Sequence, residues 1–391
     1  MSDTATENRL NVLVTDGSYK HALGIVRSLG RRGHRVNVIG SRRFSPAFFS
    51  RYTNGSSLCP DPLTSPAEFT DCLTQRIRDW RIQLVIPVGY SSVDACAMNA
   101  EQLRDTGVFI LIPSAAQFAD TSDKWQMIAT ARSAGLSVPE SCLPDSLDDA
   151  RAFLRTCNGR GVAKLRRESL GKGATLITSE SQLNTLFAQP GEFQFGSVIL
   201  QNFVNGHGSG YMALAQDGHV VREFAHRRLR EMPASGGYST AAESIRDPAL
   251  IDHGRQLFEA MAWTGPGMVE CRVDGDRLWF IEFNPKFWGS LDLALHCGAD
   301  FPGDLCLLAG GNDLTARPMP EYRVGDRAWW PWRGDVRRLW QRPGDVFHLI
   351  GDLLSPRARS NWRWTDPTPN LIEIGGELTF GLRRRHKKHR R

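Results

Sequence analysis

The sequence predicts a chain that is α/β at its N-terminus and α+β beyond it, and three observations carry that prediction. Strand-like and helix-like segments alternate from residue 10 to about residue 118. Beyond that point hairpin signals and separate helices replace the alternation. From Ala316 onward the composition turns basic and rich in tryptophan.

The first unit opens with "LNVLVTD" (10–16), an apolar run that reads as a buried strand. Gly17 and a helix with Ala22, Ile25, Val26 and Leu29 on one face follow, then Gly33 and the strand "RVNVIG". Further strands at "QLVIPV" (83–88) and "VFILIP" (108–113), separated by helical patterns, complete a small parallel α/β domain over residues 1–118. Its first turn, "TDGSYKH", holds a single glycine and lacks the GxGxxG spacing of a dinucleotide site. Ligands of open parallel sheets gather at the carboxyl ends of the strands, which makes Gly17, Ser18, Tyr90 and Ser91 candidates for a substrate pocket, against the plainer reading as turn residues. After it come a helix ending at Gly135, a second through "LDDARAFL", and strands at "GVAKLRR" and "SVILQNF".

Composition excludes several classes. At 391 residues, 41% hydrophobic and 23% charged, the chain has globular statistics and length for two or three cores. No apolar run reaches the roughly 18 residues of a membrane span, and "MSDTATENRL" does not read as a signal peptide. The eight cysteines show no CxxC or paired spacing, which argues against a disulfide framework or zinc site and for a reducing cytoplasm. The net charge of +6 is uneven: from Ala316 onward there are 17 lysines and arginines against 8 acidic residues, and before it 31 against 34.

Two segments carry candidate chemistry. In "ESLGKGATLI" (168–177), small residues around Lys172 form a loop whose backbone donors can close over phosphates, although a plain hairpin turn has the same look. In "MVECRVDGDRLWFIEFNPKFWGS" (268–290), Glu270, Glu282 and Asn284 interrupt strongly apolar strands around an Asp-Gly hairpin signal. A carboxylate in such a strand needs a cation or donors to offset its lost hydration. A two-residue loop at Asp274-Gly275 would put Glu270 and Glu282 on opposite faces. A three-residue loop ending in Gly275 as a bulge puts Glu270, Glu282 and Asn284 on one face, and the sequence is expected to form this loop. Three oxygen donors then suit a hard cation such as Mg²⁺. The solvated face of a surface hairpin is the alternative that these residues alone leave open.

Taken in order, Lys124, Lys164, the Gly171 to Gly173 loop, "ILQNFVNG" (199–206), "HRRLREMPASGG" (226–237), Glu270 and "IEFNPKFWGS" (281–290) resemble the ATP-grasp superfamily, and within it the carboxylate-amine ligases. The resemblance implies a pre-ATP-grasp domain over 1–118, a two-subdomain ATP-grasp domain over 119–310, and a basic Trp-rich C-terminal region over 311–391 that lies outside it. It also implies ATP and Mg²⁺ as cofactors. Lys124, Lys164, Gly171 and Gly173 would contact the nucleotide phosphates, with Lys164 also near the base edge, and Gln201 and the Val204 backbone would read the adenine. Glu270, Glu282 and Asn284 would hold Mg²⁺. Arg228 and Lys286 would neutralise the charge that develops when a carboxylate meets the γ-phosphate. Lys286 replaces the usual arginine and Gln201 the commoner glutamate. No acidic residue for the ribose stands out in "VNGHGSGYM".

The implied reaction is ADP-forming ligation of a small-molecule carboxylate to an amine through an acyl phosphate. A phosphotransferase on the same fold, or a non-catalytic nucleotide-binding protein, stays open. His207 and His226 read as polar neighbours, and Ser290 lacks a nucleophile elbow. The C-terminal region, with six of the eleven tryptophans and the ending "RRRHKKHRR", has two readings. Either its tryptophans pack on the enzyme, or it meets an anionic membrane surface or polyanionic acceptor, placing a cytoplasmic enzyme peripherally on the inner membrane face. No specific nucleic acid is expected, and the sequence does not specify an oligomeric state.

Overall fold

The computed structural model describes residues 9–167, 174–188, 193–233, 237–339 and 341–377. Three sheets organise them. The first contains β1 (Asn11–Val14), β2 (Arg35–Gly40), β3 (Thr53–Leu58), β4 (Leu84–Ile86) and β5 (Phe109–Ile110), all parallel, in the order β3-β2-β1-β4-β5. β1 is flanked by β2 and β4, so the chain reverses direction across the sheet at β1. A crevice at strand carboxyl ends belongs at such a reversal.

The helix Lys20–Arg31 follows β1 and buries Ala22, Leu23, Ile25, Val26 and Leu29, the face its periodicity predicts. Gly17 is demanded by packing, because a Cβ there would lie 2.8 Å from Val38 Cγ1. Ser18 Oγ lies 2.8 Å from Ser45 Oγ, and Tyr90 tilts against Phe118 with ring centroids 4.9 Å apart.

The second sheet is antiparallel, ordered β6-β9-β7-β8, from β6 (Ser141–Cys142), β7 (Gly161–Leu165), β8 (Thr175–Ile177) and β9 (Val198–Asn202). The third has seven strands: β10 (His207–Gln216), β11 (His219–Met232), β12 (Tyr238–Ile245), β13 (Gly265–Asp274), β14 (Arg277–Asn284), β15 (Arg327–Trp329) and β16 (Ala358–Ser360), in the order β14-β13-β10-β11-β12-β15-β16.

Alternation along β10 divides the core. Tyr211, Ala213 and Ala215 join Ala225, Val269, Phe280 and Phe283 under the helices Pro248–Ala260 and Lys124–Ser133. Met212 and Leu214 face the other way and join Phe224, Trp288, Phe301 and Trp330 in one cluster with the helix Lys20–Arg31 and β1. The N-terminal domain and the large sheet therefore share a single apolar interior.

The C-terminal region is built into this body. β15 pairs with β12 and β16 with β15, and Trp330 is 1% exposed. Buried Arg27 of the first helix donates to Asp366 Oδ2 at 2.8 Å, the Asp366 carbonyl at 2.7 Å, the Asn361 carbonyl at 2.9 Å and Asn370 Oδ1 at 3.0 Å. Packing on the rest of the fold thus accounts for Trp330. Trp364, 85% exposed, is outside that account, and Trp340 lies outside the described residues. The ending "RRRHKKHRR" lies outside them too. No described helix is long and apolar enough to cross a membrane.

Candidate active site

The hairpin that carries Glu270 and Glu282 differs from its expected form. Asp274 pairs with Arg277 across a two-residue turn, Gly275-Asp276, with Gly275 at φ 59°, so the loop count is even and not odd. The face is restored further along. A register shift after Glu270 leaves Ile281 as an extra residue in β14, so Cys271 pairs with Phe280 while Glu270 pairs with Glu282 and Met268 with Asn284. Phe280 and Phe283 consequently share the apolar face, and Glu270, Glu282 and Asn284 share the opposite one. A bulge inside the strand does what the loop was expected to do.

The row continues across the sheet as Glu282, Glu270, Gly210, His226 and Ser244. Glycines at 208 and 210 keep the floor of β10 low. A Cβ on Gly208 would lie 2.8 Å from Arg228 Cδ, and one on Gly210 3.1 Å from His226 Nε2. Over that floor Arg228 Nη2 reaches Glu270 Oε2 at 2.5 Å, and Nη1 meets Glu231 Oε1 at 3.1 Å and the Gly237 carbonyl at 2.9 Å. Asn284 Nδ2 donates to Glu270 Oε1 at 3.1 Å, so both oxygens of Glu270 are held.

Glu282 is placed differently. Among the described residues its side chain has no ion pair and no hydrogen bond. Burial pushes its carboxyl up, but the charges of Lys124, Lys164, Arg228 and Lys286 outweigh that and hold it below the ordinary range. Burial raises Glu270 above its ordinary value against the pull of Arg228, and the charge of Glu282 adds to the rise. The site holds one open carboxylate, ringed by cations, beside one already oriented.

Each cation has a structural reason to be there. Lys124 begins a helix capped by Asp123, whose Oδ1 accepts from the Trp125 and Gln126 amides and whose carboxylate takes Arg166 Nε at 2.9 Å, tying the helix start to the end of β7. The same helix packs on β14. Lys164 stands on β7 and donates to Gln201 Oε1 at 2.8 Å, while Gln201 Nε2 donates to Ser141 Oγ at 3.1 Å. Burial lowers Lys164 to about 8, opposed by the charge of Glu282. The Gln201 side-chain carbonyl, expected from the sequence to read an adenine, already accepts from Lys164, with one lone pair left over. Val204 lies half-buried in the crossing between β9 and β10. Gly206 closes that crossing where its φ is 84° and a Cβ would lie 1.8 Å from the Val273 carbonyl oxygen. Lys286, half-buried, follows Asn284 and Pro285 directly, its amide donating to the Asn284 carbonyl at 2.9 Å. Gly171 and Gly173 lie outside the described residues.

Residues passed over in the sequence complete the surroundings. Lys20 Nζ sits 3.9 Å from the Trp330 ring centroid and approaches Gly289, and burial lowers its amine to about 8. Both ring nitrogens of His21 are buried without a hydrogen-bond partner among the described residues, and burial together with the charges of Lys286 and Lys20 pushes the ring well below the usual imidazole value. The available signal was a lysine and a histidine in the first turn of a helix, where the macrodipole favours acids. His226 Nδ1 lies 3.1 Å from Ser290 Oγ, and burial lowers the ring to about 3, so it stays neutral and is a weak base toward the serine.

No family model matches the chain. In sequence it is 26% identical over 258 residues to the pyruvate carboxylase of Staphylococcus aureus, covering 60% of this chain and 22% of that one, so it spans about a fifth of this relative's length. Among solved structures it resembles the biotin carboxylase domain of Hydrogenobacter thermophilus 2-oxoglutarate carboxylase in complex with MgADP, ADP and bicarbonate, at 13% identity and a TM-score of 0.62 over 81% of this chain and 73% of that one. It also resembles N5-carboxyaminoimidazole synthetase of Staphylococcus aureus complexed with ADP, at 13% identity and a TM-score of 0.60 over 81% and 80%.

Proposed function

The fold is that of the ATP-grasp enzymes, and from that premise we propose that this chain is an ATP-dependent ligase that joins a carboxylate to an amine and releases ADP and phosphate. The observation that carries the reading is Glu282, a carboxylate held ionised by four surrounding cations and left without a direct partner beside Glu270 and Asn284. A partly buried anion in that state is a vacant ligand for an external cation.

Glu270, Glu282 and Asn284 offer the carboxylate and carboxamide oxygens that suit Mg²⁺. Bound there, the ion would neutralise charge on the nucleotide phosphates. Lys124 and Lys164 hold phosphate oxygens from the β7 side, and Arg228 and Lys286 meet them from the hairpin side. Arg228 arrives with its guanidinium already oriented by Glu270 and Glu231, so little reorganisation accompanies charge development. A substrate carboxylate oxygen attacks the γ-phosphorus, the bond to the β-phosphate oxygen breaks, and ADP leaves with that electron pair. The amine then adds to the acyl carbon, phosphate departs, and the surplus proton is released to solvent. From the N-terminal domain Lys20 approaches Gly289, just after the hairpin, and would add a cation for the co-substrate. The bicarbonate bound in the Hydrogenobacter domain makes bicarbonate the first carboxylate to try.

Incubation with ATP, Mg²⁺, a carboxylate pool including bicarbonate, and hydroxylamine tests the reading. It predicts ADP together with a hydroxamate or N-hydroxycarbamate. AMP and pyrophosphate, or ADP accompanied by a phosphorylated hydroxyl and no trapped acyl group, would overturn it.

A further inference from the structure

Helix Val346–Leu354 is turned inside out. Among its nine residues Asp352 alone is buried, paired with Arg230 Nη1 at 2.7 Å and Arg327 Nη1 at 3.9 Å, while Val346, Phe347, Ile350, Leu353 and Leu354 point outward. Their spacing of i, i+1, i+4, i+7 and i+8 gathers them on one stripe, and Phe347, Leu353 and Leu354 are 76%, 71% and 78% exposed. Scattered exposed leucines need no explanation, but a contiguous apolar stripe anchored by its polar side marks a contact surface.

Charge identifies what it contacts. Exposed Arg342 precedes the helix, and exposed Arg357 and Arg359 lie on the segment returning through β16, which packs against it. The acids nearby are engaged, Asp352 as above and Asp345 with Arg338 at 2.5 Å. The described residues end at Glu377, which Arg337 of the short helix Val336–Leu339, just ahead of the exposed one, holds at 2.7 Å. Residues 383–391 add seven lysines and arginines and no acid. We propose that this face docks on an anionic lipid bilayer, the apolar stripe entering the headgroup boundary and the basic residues meeting lipid phosphates and carboxylates. One weak apolar signal plus one polybasic signal is the combination that gives stable but reversible attachment.

The test is sedimentation of the full chain with vesicles of equimolar phosphatidylserine and phosphatidylcholine, against phosphatidylcholine alone, at low and high salt. The proposal predicts binding to the anionic vesicles only, weakened by salt. Leu353→Ser with Leu354→Ser should lower partitioning about tenfold or more, with ATP turnover and thermal midpoint unchanged. Full-length Arg383→Gln, Arg384→Gln, Arg385→Gln, Lys387→Gln and Lys388→Gln should do the same at low salt. Three results would overturn it: no sedimentation with anionic vesicles, sedimentation indifferent to the leucine pair, or a solution dimer that the leucine substitutions split, which would assign the stripe to a second copy of the chain.

Discussion

Arg228 crosses β10 above Gly208 to meet Glu270 at 2.5 Å, and it can do so because position 208 has no side chain. The pair sets the geometry of the proposed site from both sides, since the same guanidinium also acts on Glu282. Gly208→Ala would place a Cβ 2.8 Å from Arg228 Cδ and 2.9 Å from Glu231 Oε1. Both obstacles are flexible side chains, so the protein should fold with a thermal midpoint lowered by only a few degrees. The displaced guanidinium should cost on the order of 10²-fold in ADP formation. Parallel thermal scans and steady-state kinetics separate the two effects.

A second prediction concerns pH. Lys164 titrates at about 8 in the fold against 10.5 unfolded. The folded state loses this proton first, so the penalty for the buried charge is fully present below about pH 8 and is relieved between there and 10.5. For binding the sign is opposite, because phosphate needs the cation. kcat/KM for ATP should fall above about pH 8. Gln201→Glu places a carboxylate against Lys164 Nζ, 2.8 Å from the present amide oxygen, and should move that limb upward by about a unit. Lys164→Arg should remove it. An unmoved limb in both variants would assign the titration elsewhere.

The third prediction tests the clasp between the two ends of the chain. Asp366 accepts from Arg27 Nε and Ser50 Oγ, at 2.8 and 2.7 Å, and from the Arg51 amide at 2.8 Å. Arg27→Met leaves this carboxylate buried with its charge uncompensated, and should cost about 3 to 5 kcal/mol in urea unfolding. Adding Asp366→Asn should cost little more, because the penalty comes from the orphaned charge. Additive losses would show that the two side chains act independently and that an orphaned charge is not the source of the penalty.

These tests fall where sequence and structure part company, and the reasons are physical. Strand and helix patterns located β1, β2, β7 and β9 and the helix after β1, because β1, β2 and β9 are apolar runs buried on both faces while β7 and the helix bury one face. The acidic hairpin face was legible from chemistry, since two carboxylates and an asparagine in apolar strands need a common use. The device that aligns them was not: the extra residue is Ile281, an ordinary strand former, and only pairing with β13 shows it to be unpaired. Lys20 and His21 were hidden for the opposite reason, because their meaning depends on Trp330 and Lys286, which are distant in sequence. In the C-terminal region the tryptophans looked alike, yet Trp330 is in the core and Trp364 in solvent. Composition does not decide which indole finds a partner; tertiary packing does.

Glu282, as proposed, is an open ligand for a cation carried with nucleotide. Calorimetric titration of ATP into the full chain, with Mg²⁺ and with EDTA, for the wild type and Glu282→Gln, addresses it most directly. Mg²⁺ should tighten ATP binding to the wild type, and Glu282→Gln should remove this gain, about tenfold or more, while the protein stays folded. Binding of ATP that is equally tight with EDTA and in Glu282→Gln would contradict it.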